Sequence, residues 1–140
     1  MEIRYTNNIS VKDYCMLRAS IGALPIIPEQ AEAGLRGSAF IVTALDGEKV
    51  IGTARLIWDG GYCAFIKNVM VLPEYQGKGI GTELMLQIID YVKKQLKPGY
   101  GISIELTSSV GKEAFYEKIG FKAKKKEVQG CGMGIYIKHS

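Results

Sequence analysis

The sequence predicts an α/β protein, because its two halves carry different but complementary patterns. In the first half, β-rich runs at residues 40–45 and 50–58 flank a polar segment at 46–49, which is typical of a β-hairpin. In the second half, helical and strand patterns alternate, beginning with an amphipathic helix directly after a glycine-rich loop. We therefore expect strands and helices to share one hydrophobic core.

The first 37 residues predict a short strand and two helices. Residues 3–5 form the strand, and an apolar stripe at helical spacing covers residues 9–21. Ser10 precedes that stripe and is placed to cap the helix. Two prolines then end the first helix, and residues 29–35 predict a second short helix that ends at a glycine.

Five further elements follow the hairpin. Residues 62–71 form a long, nearly all-apolar run, which predicts a central strand buried on both faces. Apolar residues at helical spacing over 84–96 predict an amphipathic helix. Strand, helix and strand patterns then follow at residues 102–106, 110–119 and 132–138.

Composition is that of a single domain, residues 1–140, with enough apolar mass for one core: hydrophobic residues make up 47% and charged residues 23%. The first residues contain no long apolar run, so we expect neither a signal peptide nor a membrane span. The net charge of +4 is mild. Cys15, Cys63 and Cys131 are odd in number and far apart, which favours reduced thiols in a cytoplasmic protein and argues against a disulfide framework or zinc site.

The most informative segment is the glycine loop, defined as residues 76–82, between the apolar strand and the long helix. Gly77, Gly79 and Gly81 lie within it. Glycine allows positive φ and a close approach of the backbone to a ligand. The first amides of a helix lack intrahelical acceptors and carry partial positive charge. The loop therefore predicts a phosphate or pyrophosphate site built from main-chain N–H groups.

The spacing within the glycine loop excludes the two commonest phosphate motifs. A P-loop places lysine directly before serine or threonine, whereas here Gly81 precedes Thr82 and Lys78 stands between two glycines. The dinucleotide fingerprint requires a third glycine at 82. The order Gln-Gly-Lys-Gly-Ile-Gly instead resembles the acyl-CoA signature of the GCN5-related N-acetyltransferase superfamily, with Gln76, Gly79 and Gly81 at its fixed positions.

This resemblance implies the acetyltransferase fold, a central mixed β-sheet flanked by helices, and acetyl-CoA as co-substrate without a metal. It also implies that the central strand splays near residues 68–71, where backbone groups hold the pantetheine arm and one amide stabilises the oxyanion. Thr82 is expected to act as a helix cap or as a phosphate ligand. The expected cofactor-binding residues are Val69, Met70, Val71, Gln76, Gly77, Lys78, Gly79, Ile80, Gly81 and Thr82.

Tyr116 is the candidate catalytic residue. It lies in a segment, residues 113–121, that looks like the superfamily helix whose tyrosine lies beside the CoA sulfur. A phenol with a pKa of about 10 is protonated at neutral pH and can supply a proton to the departing thiolate. Tyr116 follows Phe115, which we expect to pack inward while Tyr116 faces the cleft. The alternative is a tyrosine that merely packs.

No general base is assigned. His139 is next to the end of the sequence, and Glu29, Asp59 and Glu105 are conceivable but none stands out. Residues 24–37 and 126–132 are expected to shape the acceptor pocket. Glu29 and Glu32 are weak indications of a cationic acceptor.

We therefore expect an N-acetyltransferase that acts on a primary amine of a small molecule. A CoA-binding sensor without turnover, another acyl donor, or a protein amine as acceptor remain open. The lysines at residues 122–126 resemble a nucleic-acid patch but lack interleaved aromatic residues, so a solvated edge strand is favoured. The expected partners therefore exclude nucleic acid and membrane, and include a second copy of the chain in a homodimer.

Overall fold

The computed structural model describes residues 2–124, 127 and 130–139. The chain divides into two compact units, Met1–Thr107 and Ser108–Ser140, which are described separately. Because the two units are described separately, a single domain stays a prediction from sequence. Part of the basic segment at 122–126 and of the expected pocket segment at 126–132 lies outside the described residues.

The first unit is built on a five-stranded mixed sheet in the order β1-β2-β3-β4-β5. The first four strands pair antiparallel, and β5 pairs parallel with β4. The sequence-predicted mixed α/β class is thereby confirmed, as is the hairpin of β2 and β3, whose turn contains Gly47 at φ 59°. The strands are β1 (Ile3–Thr6), β2 (Phe40–Asp46), β3 (Lys49–Trp58), β4 (Cys63–Val71) and β5 (Ser103–Glu105).

Three helices flank this sheet: α1 (Val11–Ser20), α2 (Pro28–Arg36) and α3 (Ile80–Gln95). The amphipathic pattern of α3 packs against β2, β3 and β4, and Tyr91 of α3 stacks on Phe40 of β2 with 4.1 Å between ring centroids. None of the helices in the described ranges has the length and apolar character that a membrane span requires. Fully buried side chains from the helices and sheet form the core, among them Leu17, Ile51, Leu56, Met70, Leu84, Met85 and Ile88.

The strand β4 is not buried on both faces, contrary to the sequence prediction. Ala64 and Ile66 are buried, whereas Cys63, Phe65 and Lys67 are exposed. Successive side chains of a strand point to opposite faces, so this alternation shows that only one face of this half of β4 is covered. A continuous apolar run therefore does not by itself establish two buried faces.

The helix α1 begins as the sequence predicts, with Ser10 as its N-cap. The Ser10 Oγ accepts a hydrogen bond from the Asp13 N–H at 3.0 Å, and the Ser10 hydroxyl lies 2.9 Å from Asp13 Oδ2. This satisfies one of the amides that a helix start leaves without an intrahelical acceptor.

We expect Ser10→Ala to lower the free energy of unfolding by about 1 kcal/mol, because the Asp13 amide loses its acceptor. Thermal denaturation should show a midpoint roughly 3 °C lower. Ser10→Thr, which retains the capping hydroxyl, is the matched control and should stay close to the wild-type midpoint. Equal midpoints for Ser10→Ala and wild type would contradict this role of the cap.

The second unit contains the helix α4 (Glu113–Ile119), which is shorter than the predicted 110–119. Gly111 adopts φ 87° in the turn before α4, and Val110 is 99% exposed, so the helical pattern is interrupted before residue 113. Gly120 and the residue after it end α4 in a Schellman motif, with the Gly120 N–H bonded to the Glu117 carbonyl and the Phe121 N–H to the Tyr116 carbonyl.

The predicted final strand at 132–138 is wrong for the described residues 130–139, which contain no strand. An apolar pattern alone does not form a strand, because the main-chain groups of a strand also require hydrogen bonds to a neighbouring strand. The large apolar side chains of this segment are exposed: Met133, Ile135, Tyr136 and Ile137.

Candidate cofactor and acyl-transfer site

The strand β4 has an open edge over its second half. Its pairing with β5 covers only Cys63 to Phe65, so residues 66–71 have no strand on that side within the described sheet. On the other side, β4 stays paired with β3 as far as Val71. Residues 68–71, where the family resemblance implies a splay of the central strand, lie within this open edge.

The direction of the main-chain groups along this edge follows from the hydrogen bonds around it. The Leu72 N–H donates to the Ile51 carbonyl of β3 at 2.9 Å. Main-chain groups of successive strand residues point to opposite edges, so those of Val71 point away from β3. The Val69 carbonyl also points away from β3, because it shares a peptide with the N–H of Met70, which pairs with Thr53 of β3. The open edge therefore presents a short row of donors and acceptors in extended backbone, which matches the expected pantetheine position.

The glycine loop supplies a second set of main-chain donors. The helix α3 begins at Ile80 with Gly79 as its N-cap, and the first helical bond runs from the Glu83 N–H to the Gly79 carbonyl. Within the part of the chain that the structure describes, the N–H groups of residues 77–82 have no protein acceptor. A helix of 16 residues adds its dipole at this end.

The conformation of the loop explains the need for two of its glycines. Gly77 and Gly79 have φ of 78° and 84°, values that L side chains rarely adopt. A Cβ at either position would meet nothing within 4 Å, so the space beside the loop is open to a ligand. Gly81 lies within the first turn of the helix instead. These features fit the diphosphate of coenzyme A.

The glycine loop is tied to the sheet at its beginning. The Gln76 Nε2 donates to the Val71 carbonyl at 2.9 Å, which turns the chain back on the end of β4. The Tyr75 hydroxyl donates to Asp46 Oδ2 at 2.6 Å, and this bond, with burial, raises the tyrosine pKa. Gln76 thus orders the loop, and of the two Val71 main-chain groups the N–H is the one left for a ligand.

The other predicted cofactor-binding residues have different roles. The side chains of Met70 and Ile80 are buried in the core, so Met70 spaces its two neighbours along β4 and Ile80 offers only its amide. Lys78 is exposed on the loop. The prediction of Thr82 as a helix cap is wrong, because Gly79 holds that position and Thr82 lies in the first turn of α3.

Tyr116 lies on α4, in the second unit. Its ring makes edge-on contacts with Phe115 and Phe121, at centroid distances of 4.9 and 6.2 Å. Burial raises the pKa of Tyr116 above its ordinary value, so the phenol stays protonated throughout the neutral range. Phe115 is half-buried like Tyr116, and α4 has no fully buried side chain, contrary to the expectation that Phe115 packs into the core.

The carboxylates considered as general bases or as acceptor contacts differ in the hydrogen bonds and ion pairs that they already make. Asp59 Oδ1 accepts the N–H groups of Gly61 and Cys63, at 2.7 and 3.4 Å, and so holds the turn between β3 and β4. Glu29 is exposed in the first turn of α2. The carboxylate of Glu32 pairs with Arg36 Nη1 at 3.0 Å on the exposed side of α2.

Sequence reasoning missed a hydrogen-bonded group beneath the open edge. Asn68 of β4 accepts bonds from the Tyr14 hydroxyl of α1 and from Arg55 Nε of β3, at 2.8 and 2.7 Å. The signal was present in the sequence, because Asn68 and its neighbour Lys67 interrupt an otherwise apolar strand. Its partners are 54 and 13 residues away along the chain, beyond the reach of any local pattern.

Comparison with known proteins agrees with this geometry. The model of the acetyltransferase (GNAT) family matches residues 13–121. The chain belongs to this family. The match begins at residue 13, so the GNAT likeness extends further toward the start of the chain than the glycine loop and α4 indicated.

Named relatives and solved structures give the same assignment. An uncharacterized N-acetyltransferase, ycf52 of Porphyra purpurea, is 29% identical over 120 residues, covering 83% of this chain and 67% of that protein. The chloroplastic GCN5-related N-acetyltransferase 2 of Arabidopsis thaliana is 36% identical over 90 residues, covering 61% of this chain and only 33% of that protein. The structure of SA2161 from meticillin-resistant Staphylococcus aureus, described as a probable acetyltransferase of unknown function, has a TM-score of 0.84 at 32% identity, covering 99% and 100% of the two chains.

Proposed function

We propose that this GNAT protein transfers the acetyl group of acetyl-CoA to a primary amine of a small molecule. The observation that carries this proposal is the row of unbonded main-chain N–H groups at residues 77–82, a few residues after the end of a strand with an open edge. A diphosphate joined to an extended amide-bearing arm matches that sequence of donors.

The residues present fit acetyl-CoA in two places. The glycine loop would hold the diphosphate through main-chain amides, with Lys78 adding positive charge. The main-chain groups of Val69 and the N–H of Val71 would pair with the pantetheine arm in the manner of a strand. When bound, acetyl-CoA supplies an activated thioester carbonyl.

The proposed reaction is a direct transfer. The neutral amine attacks the thioester carbonyl, an N–C bond forms and the C–S bond breaks, and the amine loses one proton while the thiolate gains one. A main-chain amide of β4 would stabilise the oxyanion, and Tyr116 would protonate the sulfur. Positioning of the amine then supplies much of the rate enhancement.

The acceptor is proposed to be a small molecule. The protein is proposed to act in a reducing compartment of the cell. Among the described residues all three cysteines are free, which suits the cytoplasm. The name of the Arabidopsis relative places that protein in the chloroplast. Formation of a homodimer stays a prediction.

The test combines binding with product analysis. Calorimetry measures association with coenzyme A, and mass spectrometry measures acetylated products after incubation with acetyl-CoA and a broad panel of primary amines. Direct product detection is preferable to a thiol reagent, because the exposed Cys63 and Cys131 would react with it. Binding together with acetylated product supports the proposal.

Two other outcomes would overturn it. Binding of coenzyme A without acetylated product from any amine would favour a CoA sensor over an enzyme, since the glycine loop recognises phosphates and not the acyl group. No heat of association with coenzyme A would remove the cofactor site itself. A peptide amine acetylated in preference to every small molecule would change the acceptor class alone.

A further inference from the structure

Among the described residues, Asn68 is the one non-glycine residue with positive φ, at 56°. Asparagine tolerates this left-handed conformation better than most L residues, but still adopts it rarely. Such outliers persist only where the surrounding structure holds them, and they concentrate at functional sites. The conformation of Asn68 therefore requires both a structural cause and a consequence.

The cause is a pair of hydrogen bonds to its side-chain oxygen. Asn68 Oδ1 accepts the Tyr14 hydroxyl at 2.8 Å and Arg55 Nε at 2.7 Å. Tyr14 is only 3% exposed, so its hydroxyl has little access to water in place of this bond. The guanidinium of Arg55 is held in turn, since Nη1 donates to the Gly34 carbonyl and to Ser38 Oγ, each at 3.2 Å. The side chain of Asn68 is thus fixed from α1, β3 and the end of α2.

The consequence lies in the register of β4. Thr53 pairs with Met70 and Arg55 with Lys67, so two residues of β4, Asn68 and Val69, oppose a single residue of β3. This is a β-bulge, and a bulge redirects the main-chain and side-chain groups beside it. The peptide that follows Asn68 carries the Val69 N–H, and Val69 lies in the part of β4 that β5 does not cover.

We propose that Asn68 is a positioning residue for acyl transfer: tethered by Tyr14 and Arg55, it holds the bulge that aims the Val69 N–H along the open edge. This inference rests on the proposed function. Asn68 itself is not assigned any contact with acetyl-CoA or the amine.

The alternative is that these hydrogen bonds only stabilise the fold. The two readings differ in what they predict for the backbone conformation. If conformation matters, glycine at position 68 should preserve more activity than alanine, because glycine adopts positive φ freely and alanine does not. If only the side-chain hydrogen bonds matter, Asn68→Gly and Asn68→Ala lose the same bonds and should behave alike.

The experiment measures kcat, KM for the amine, Kd for coenzyme A and the thermal midpoint in the full chain. We expect Asn68→Ala to lower kcat by about 100-fold, the size of effect that a small misplacement of a reacting geometry produces. Asn68→Gly should lose about tenfold. The Kd for coenzyme A should change by less than about threefold in both, because the glycine loop is untouched.

Two further variants keep the test decisive. Tyr14→Phe preserves the buried ring but removes one of the two hydrogen bonds to Asn68, so kcat should fall, but by less than in Asn68→Ala. This variant tests the proposal even if Asn68→Ala folds poorly. Thr43→Val is the control for a lost core hydrogen bond, because the Thr43 and Thr53 hydroxyls lie 3.1 Å apart in the buried sheet. It should lower the thermal midpoint and leave kcat unchanged.

Three results would overturn the inference while the proposed function stands. The first is wild-type kcat in Asn68→Ala, and the second is equal kcat in the alanine and glycine variants. The third is a fall in kcat that follows the fall in thermal midpoint across all four variants, including Thr43→Val. Failure of the wild-type protein to bind coenzyme A, by contrast, would overturn the proposed function itself, and this inference with it.

Discussion

Gly81→Asp should weaken binding of coenzyme A by at least about 100-fold, equivalent to roughly 2.7 kcal/mol. The helix α3 begins at Ile80, so this change places a carboxylate in the first turn of the helix. There it would compete for the free amides and repel the diphosphate that they are proposed to bind. Calorimetry with coenzyme A measures the loss.

The same substitution separates binding from folding. An acidic residue in the first helical turn interacts favourably with the helix dipole, and aspartate has a higher helix propensity than glycine. The thermal midpoint of Gly81→Asp should therefore equal or exceed that of wild type. Gly81→Ala is the matched control, since its small neutral side chain should leave the affinity within a few-fold of wild type. Unchanged affinity in Gly81→Asp would show that the diphosphate binds elsewhere.

Tyr116→Phe should lower kcat by about 100-fold while the Kd for coenzyme A stays close to wild type, because general-acid catalysis contributes at least this much. The phenyl ring preserves the edge-on contacts with Phe115 and Phe121, so the thermal midpoint should change little. Single-turnover measurement of acetylated amine reports the chemical step directly. Tyr62→Phe, at a tyrosine that is 76% exposed, is the control and should keep wild-type kcat.

The pH dependence gives the same prediction a second test. Burial raises the pKa of Tyr116 above the usual 10.0, so its acidic form persists as the pH rises through 10 and is lost only beyond that. The wild-type kcat should therefore show no alkaline decline below pH 10. A decline that begins in the neutral range, or wild-type kcat in Tyr116→Phe, would assign the proton to another group.

Much of the fold was predictable because its signals are local. The hairpin depends on two β-rich runs and a glycine turn, the start of α1 on Ser10, and α3 on apolar residues at helical spacing. The glycine loop belongs to the same class, since glycines and a helix start lie within seven consecutive residues, 76–82. In each case the residues that determine the structure are neighbours along the chain.

The errors arise where a pattern is ambiguous without its surroundings. An apolar run predicted two buried faces for β4, yet Phe65 is 44% exposed, because burial depends on what covers each face. The pattern at 132–138 predicted a strand, but no described strand pairs with this segment. Thr82 resembled a helix cap, but α3 begins before it, with Gly79 in the left-handed conformation.

The sequence by itself determined the donor chemistry of the candidate site, because a row of free amides is a local property of a glycine-rich loop that opens a helix. Only the tertiary structure decided where β4 loses its neighbour and how it bends at Asn68. Strand pairing and the bonds from Tyr14 and Arg55 join residues distant along the chain, and they form only once α1 and the sheet have packed together.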